Sequence, residues 1–331
     1  MKRVVSKLFP KLYLFIALTK REVYEEYKVL KLNNQCSVSF LRYLTNYLIH
    51  GSTPVEFNVL GFKHLNRLGK SNFITMRRNK EIKKYNDPVA TEILCAKEKF
   101  NEYFSDCIKR KWIYISQETT TEQIEDFYNS LQEKKFIIKP NALYYGLGIR
   151  IGTTIQELHN LKVIEQGGVI VEEIIKNDES IAVLNPSSLN TIRVVTVIDS
   201  KNHPHIVTMV LRTGNKGSII DNARGGGSFY HIDKEVGIID IPGHDSLCNS
   251  YCLHPSSNIV MPGYKIPRFN EIKEYCLNLA SRLPGARFVS WDIAITTDGI
   301  EVIEGNHGPS AELIQCNGIG LYKIVKQYLN D

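Results

Sequence analysis

Residues 291–306 read WDIAITTDGIEVIEGN. Two apolar, β-branched runs flank a turn sequence, which predicts a β-hairpin. A two-residue Asp298-Gly299 loop would pair Ile293 with Glu304 and turn Asp292 to the opposite face. A three-residue Thr297-Asp298-Gly299 loop, with Gly299 left-handed, pairs Asp292 directly with Glu304. Packing favours the second register, because Trp291, Ile293, Ile295 and Ile303 then share an apolar face while Asp292, Glu304 and Asn306 gather on the other. Two carboxylates facing each other repel unless a cation lies between them. A hard divalent ion with oxygen ligands, Mg²⁺ rather than Zn²⁺, suits two carboxylates and an amide oxygen; the alternative is an exposed acidic hairpin.

Other segments carry groups suited to an anionic or planar ligand. Phe136-Ile137-Ile138-Lys139-Pro140 ends an apolar strand in a lysine, and Gly146-Leu147-Gly148 follows. A lysine there is costly to desolvate without an anion, and phosphate is the usual anion beside a glycine-rich loop. Alone, the pattern also fits an ordinary strand-to-turn junction with a snorkelling Lys139. The run Val169–Ile175 carries Glu172, Glu173 and Ile174 and leads to Glu179. Such a strand end offers backbone groups to a purine edge and a carboxylate to ribose hydroxyls, and only one of the adjacent Glu172 and Glu173 can face that ligand. Arg193 shares a strand face with Val195 and Val197, so its guanidinium calls for a carboxylate or phosphate partner. Asp221, Asn222, Arg224, Gly225 and Gly226 form a glycine-rich loop able to approach a substrate closely, or a plain surface loop.

The chain has 331 residues, 43% of them hydrophobic, enough for two or three packed subdomains and unlike a disordered or fibrous protein. Its seven cysteines lack a C-x-x-C pair, which argues for a reducing compartment. Cys248, Cys252 and His254 are spaced like half of a zinc site, but no second half follows, so buried thiols are expected. No Ser-His-Asp or Cys-His arrangement emerges, and His307 is the one histidine beside the hairpin residues. The apolar run Leu12–Leu18 is too short to span a bilayer, and Thr19-Lys20-Arg21-Glu22 makes no cleavage site. A cytoplasmic protein is expected, able to lie at the inner face of a membrane.

The net charge of +6 hides an asymmetry: residues 1–111 hold 22 Lys+Arg against 10 Asp+Glu, and the remainder 19 against 25. The basic third suits an anionic membrane surface or a glycan-assembly partner, or is a solvated helical surface; nucleic acid is not expected.

These groups need a scaffold. Apolar spacing predicts helices over 21–50 and Ala96–Lys111, and Thr120 with Gln123 makes a capping box for a helix to about Leu131. Lys135–Lys139, Val169–Ile175, Ile192–Ile198, His205–Leu211, Arg287–Thr296 and Ile300–Glu304 read as strands, with amphipathic helices at Ile272–Leu283 and Gly320–Leu329. Asn86-Asp87-Pro88 marks a boundary. The second half is thus an α+β unit dominated by antiparallel strands.

Taken in this order, the elements resemble the ATP-grasp superfamily, in particular its sugar-transfer and capsule-biosynthesis branch, over roughly residues 91–329. The resemblance implies an ATP-grasp fold of two α+β subdomains, 91–168 and 169–331, gripping a nucleotide behind a basic helical region, 1–90. It assigns Lys97, with Lys99 as competitor, and Lys139 to the phosphates of ATP, Glu172 to Ile175 to the adenine hinge and Glu179 to ribose. Asp292, Glu304 and Asn306 would hold Mg²⁺, two ions in all, and Arg193 would clamp phosphate. The implied reaction joins a carboxylate to an amine through an acyl-phosphate, on a sugar acid or sugar-linked acid. A non-catalytic nucleotide- or glycan-binding protein and a phosphotransferase are the competing readings.

Overall fold

The computed structural model describes residues 21, 23–141, 148–164, 168–215 and 226–330. Gly146, Asp221, Asn222, Arg224 and Gly225 lie outside the described residues. The N-terminal part is helical as expected, but the 21–50 stretch breaks: one helix covers 23–32 and the next Phe40–His50, followed by Pro54–Val59 and Met76–Ile82. Thr53 and Glu56 close a capping box on Pro54–Val59, with Pro54 at its first turn.

Two antiparallel sheets follow. Strands β1 (Trp112–Ile115), β2 (Phe136–Pro140), β3 (Arg150–Gly152) and β4 (Val169–Glu173) make a four-stranded sheet ordered β1-β4-β2-β3. Helix Thr121–Ser130 starts at the predicted Thr120/Gln123 capping box and packs Ile124 and Phe127 against Ile115, Phe136 and Val171. Because β4 pairs with both β1 and β2, a division after residue 168 would cut through this sheet; the strand belongs with residues before it.

The larger sheet has the order β11-β10-β5-β6-β7-β8-β9, from β5 (Thr191–Ile198), β6 (Pro204–Thr213), β7 (Ser228–Ile232), β8 (Gly243–Asp245), β9 (Ser250–Tyr251), β10 (Phe288–Thr296) and β11 (Gly299–Asn306). Every residue of β5 and β10 is buried, so the charged side chains they carry, Arg193 and Asp292, must find partners inside the fold. On one face Ile192, Val194, Trp291 and Ile293 meet helix Phe269–Arg282 through Ile272, Cys276 and Leu279. On the other, Val195, Val197 and Val210 meet Ile74, just before helix Met76–Ile82, Ile82 at its end, and Val325 and Leu329 from helix Tyr322–Asn330.

The N-terminal region is therefore part of the sheet's cover. Asn86, expected in a boundary, is buried and pairs its side-chain amide with both the N–H and the carbonyl of Phe288, at 2.8 and 3.0 Å. Asp87 accepts from Ala90 N to cap helix Pro88–Cys95. The Asn-Asp-Pro signal thus marks a helix start. The long helix expected over Ala96–Lys111 ends at Tyr103, and a 3₁₀ turn follows. No helix among the described residues is long and apolar enough to cross a membrane.

Candidate functional site

Asp292 and Glu304 are direct cross-strand partners, the pairing expected from packing, but the turn differs. Thr296 pairs with Gly299, leaving a two-residue Thr297-Asp298 turn in which Thr296 Oγ1 takes the N–H of Asp298. A bulge between Asp292 and Ile293 then shifts the register by one. The bulge also corrects the expected apolar face: Val302 joins Trp291, Ile293 and Ile295 in the core, and Ile303 turns into a cleft. Gly305 stands where a Cβ would meet Leu94 at 2.7 Å and Phe100 at 3.0 Å, so its lack of a side chain lets two helices close over the hairpin.

That cleft, of about 990 Å³, is bounded by both sheets and the N-terminal helices. It brings together Lys97, Lys139, Glu172, Arg193, Asp292, Glu304 and Asn306. Arg193 and Asp292 face each other on β5 and β10. Arg193 Nε and Nη2 each donate to Asp292 at 2.7 Å, to Oδ1 and Oδ2, and Arg212 Nη1 donates to Oδ2 at 2.6 Å. Burial alone would raise the Asp292 carboxyl, but Arg193 and Arg212 hold it down at about 2. Glu304 also lies within hydrogen-bond reach of this carboxylate and helps to hold its pKa down. Glu304 accepts from Asn306 Nδ2 at 2.9 Å. These hard oxygen donors, set among cations that would otherwise meet phosphate, fit Mg²⁺. Among the described residues no three His, Cys, Asp or Glu side chains gather as a metal site, the Cys248, Cys252 and His254 segment included.

On the opposite wall, Lys139 pairs with Glu172, which also accepts from Arg110 Nη2 at 3.0 Å and Asn101 Nδ2 at 3.2 Å. Burial works against charge on Glu172, and Arg110 and Lys139 overcome it, holding the group well below the usual carboxylate range. Its oxygens are thus engaged by Lys139, Arg110 and Asn101, which leaves the backbone of this strand end, rather than the Glu172 carboxylate, to meet a nucleotide. Lys97 donates to the carbonyls of Pro140 and Asn141 at 3.1 and 3.3 Å, and burial lowers its pKa against the pull of Glu304. Lys99 instead pairs with Glu92 on the surface.

Glu173, Ile174 and Glu179 do not line the cleft; Glu173 meets the backbone of Lys111, and Glu179 is exposed at the start of helix Glu179–Ala182. Gly148 and Gly226 likewise lie outside its lining, in positive-φ turns.

Sequence reasoning passes over three contributors. Arg212 lies on β6 one residue beyond the expected strand end at Leu211, although it offers the same cue as Arg193, a guanidinium on an apolar strand. Arg110 is buried and joins the sheets: Nη1 holds Glu301 of β11 at 2.8 Å and Nη2 holds Glu172 of β4. Glu26, Glu56 and Glu312 act on one another and form an acidic end to the cleft, and Glu25 lines the cleft as well. Burial and nearby Glu312 push Glu56 well above the usual carboxylate range, against backbone N–H groups of Met76 and Thr53.

The family described as sugar-transfer associated ATP-grasp matches residues 159–329. No curated protein matches the chain. Among solved structures, the chain is similar to the D-alanine-D-alanine ligase from Coxiella burnetii, with 10% identity and a TM-score of 0.46 over 74% of this chain and 59% of that one. It is similar also to the VanG D-Ala:D-Ser ligase from Enterococcus faecalis, with 14% identity and a TM-score of 0.48 over 73% and 63%. The ATP-grasp ligase PsnB, complexed with minimal precursor, aligns at 14% identity and a TM-score of 0.43 over 79% and 68%. The chain thus spans 59% of the length of the first of these ligases. With over half of its residues matched, the chain belongs to the sugar-transfer associated ATP-grasp family.

Proposed function

We infer that the protein is an ATP-dependent ligase that joins a carboxylate to an amine and forms an amide on a sugar acid or sugar-linked acid in polysaccharide or capsule assembly. The observation that carries this reading is the convergence of Lys97, Lys139, Arg193, Asp292, Glu304 and Asn306 on one cleft between two sheets. The four-stranded sheet and the seven-stranded sheet would be the two halves that grip the nucleotide, and the sugar-transfer association of the family supports the acceptor class.

When bound, MgATP supplies the phosphoryl group: a carboxylate oxygen bonds to the γ-phosphorus as ADP leaves, and an amine then displaces phosphate from the acyl carbon, releasing a proton. Lys97 and Lys139 would hold phosphate oxygens. Asp292, Glu304 and Asn306 would hold one or two Mg²⁺ ions. Arg193 and Arg212, fixed by Asp292, present fixed positive charge to the phosphoryl group as negative charge develops on it. Glu25, Glu26 and Glu312 give the far end of the cleft the charge suited to an ammonium group before it reacts, and protonated Glu56 offers it a neutral hydrogen-bonding partner.

The test is phosphate release from MgATP across a panel of uronic acids and amino acids, with and without amines, and mass detection of product. The reading expects release sustained by a carboxylate and amine together, with an amide formed. Sustained transfer without an amine points to a phosphotransferase, and no release with any pair points to a binding protein; either result removes the ligase assignment.

A further inference from the structure

Between residues 27 and 80 the chain carries nine Lys and Arg and a single acid, Glu56, which is buried. The surface of this segment is therefore positive throughout. Helix Phe40–His50 turns Tyr43 and Tyr47 inward, against Phe57 and Phe62 of the same small core. Its opposite face would ordinarily be polar. Instead Leu41, Leu48 and Ile49 are 67%, 44% and 59% exposed, and their spacing of seven and eight residues puts them on one face with Arg42 and Thr45.

Basic side chains ring this apolar stripe. Arg67, Lys70, Arg77 and Arg78 all act electrostatically on His50 at the helix's C-terminal end. Arg42, on the stripe itself, acts on Lys70, and Arg77 reaches the carbonyl of Leu48 at 3.2 Å. Single exposed leucines are ordinary. Three on one helical face, with cations around them, are the chemistry of a surface that meets apolar chains beneath anionic headgroups.

The geometry points to helix Phe40–His50 as a docking face for an anionic lipid surface, Leu41, Leu48 and Ile49 entering the headgroup layer and Arg42, Arg67 and Arg77 meeting its charge. A second copy of the chain is a poor occupant, because a two-fold contact would set these cations against themselves. Nucleic acid would leave the apolar stripe without a partner. The consequence reaches the cleft. Tyr24 packs edge-on against Phe40 at 5.9 Å, and Glu25 and Val29 of the same N-terminal helix line the cleft. Docking would hold the acidic end of the cleft near the membrane surface.

The full chain is mixed with phosphatidylcholine vesicles, with and without about 30% phosphatidylserine, at about 0.15 M salt, and the bound fraction is read by sedimentation. Binding to the anionic vesicles is expected to exceed that to neutral ones by about tenfold or more. The triple variant Leu41→Gln/Leu48→Gln/Ile49→Gln and the pair Arg42→Glu/Arg67→Glu should each lose about tenfold, with melting temperature unchanged because the substituted side chains are exposed. Equal binding by the variants would place any lipid contact elsewhere and overturn the proposal. So would failure of the native chain to bind anionic vesicles, a dimer that the triple variant dissolves, or RNA binding that competes with vesicles and survives the triple substitution.

Discussion

Arg193 grips Asp292 across neighbouring strands through two parallel hydrogen bonds of 2.7 Å, and both groups are buried. From the sequence alone, Asp292 and Glu304 should repel until a metal arrives. The structure answers that repulsion with two guanidinium groups, because Arg212 adds its own 2.6 Å bond to Asp292.

Asp292→Asn therefore should destabilise the protein, since it strands two buried cations. Breaking a buried ion pair from one side costs about 3–5 kcal/mol, so the urea midpoint should fall well below that of the native chain. An unchanged midpoint would show that the arginines find other partners and that Asp292 is dispensable to the fold. The same pairing makes Arg193→Lys a test of both stability and turnover, because a lysine cannot reproduce the fork.

Glu304→Gln should behave differently. Glu304 is half-buried; it accepts from the Asn306 amide, which a glutamine carbonyl can still do, and it lies within hydrogen-bond reach of Asp292, to which a glutamine amide can donate. Stability should shift by less than about 1 kcal/mol, while the Mg²⁺-dependent part of ADP affinity disappears in calorimetry. Retention of Mg²⁺-dependent binding would separate Glu304 from the metal.

Lys139→Met tests whether the lysine serves phosphate or only its neighbour. Glu172 keeps Arg110 and Asn101 after the change, so the fold should survive with a modest loss of melting temperature. Nucleotide affinity should fall by roughly 1.5–3 kcal/mol, the range for a charge-assisted contact. Undiminished affinity would confine Lys139 to holding Glu172.

Stability toward acid should follow the two depressed carboxyls. Asp292 sits at about 2 and Glu172 lower than its usual range. Each contributes stability that is present above about pH 4, the unfolded value, and lost as pH falls through the folded one. The acid-unfolding curve of Asp292→Asn should lack part of the native steepness between about pH 4 and 2. Superimposable curve shapes would refute this source of acid sensitivity.

Much of this arrangement is legible in the sequence, for reasons that differ by element. β5, β10 and β11 announce themselves as long β-branched runs, and the Thr120/Gln123 box fixes a helix start. The Asp292–Glu304 pairing is correct although the turn is one residue shorter than expected, because the bulge restores the register. Packing demands decided the face where loop chemistry did not. Strands β3, β8 and β9 run only two or three residues, too short for a periodic signal. Arg110 is silent for another cause: its partners Glu172 and Glu301 lie 62 and 191 positions away, and nothing local in its neighbourhood betrays them. The N-terminal helices look separable by composition, yet Ile74 and Ile82 are fully buried on the large sheet. Deleting residues 1–85 would uncover that face.

Glu56 supplies the last prediction, with a pH dependence opposite to that of Asp292. It is buried at the acidic end of the cleft, beside Glu312 and Glu26, and its Oε2 accepts the backbone N–H groups of Thr53 and Met76 at 3.0 and 3.2 Å. Its folded pKa lies well above the unfolded value of about 4.3. The native state therefore holds this proton more tightly than the unfolded chain does. The resulting stability is complete below about pH 4 and is lost as pH rises toward and through the folded pKa. Glu56→Gln keeps an oxygen for both backbone donors and cannot ionise. Its melting temperature should match the native protein near pH 4.5 and exceed it increasingly up to pH 8, so the quantity to measure is the difference between the two proteins across that range. A difference that stays flat with pH would mean that Glu56 ionises normally in the folded state, and that the acidic end of the cleft carries its full charge.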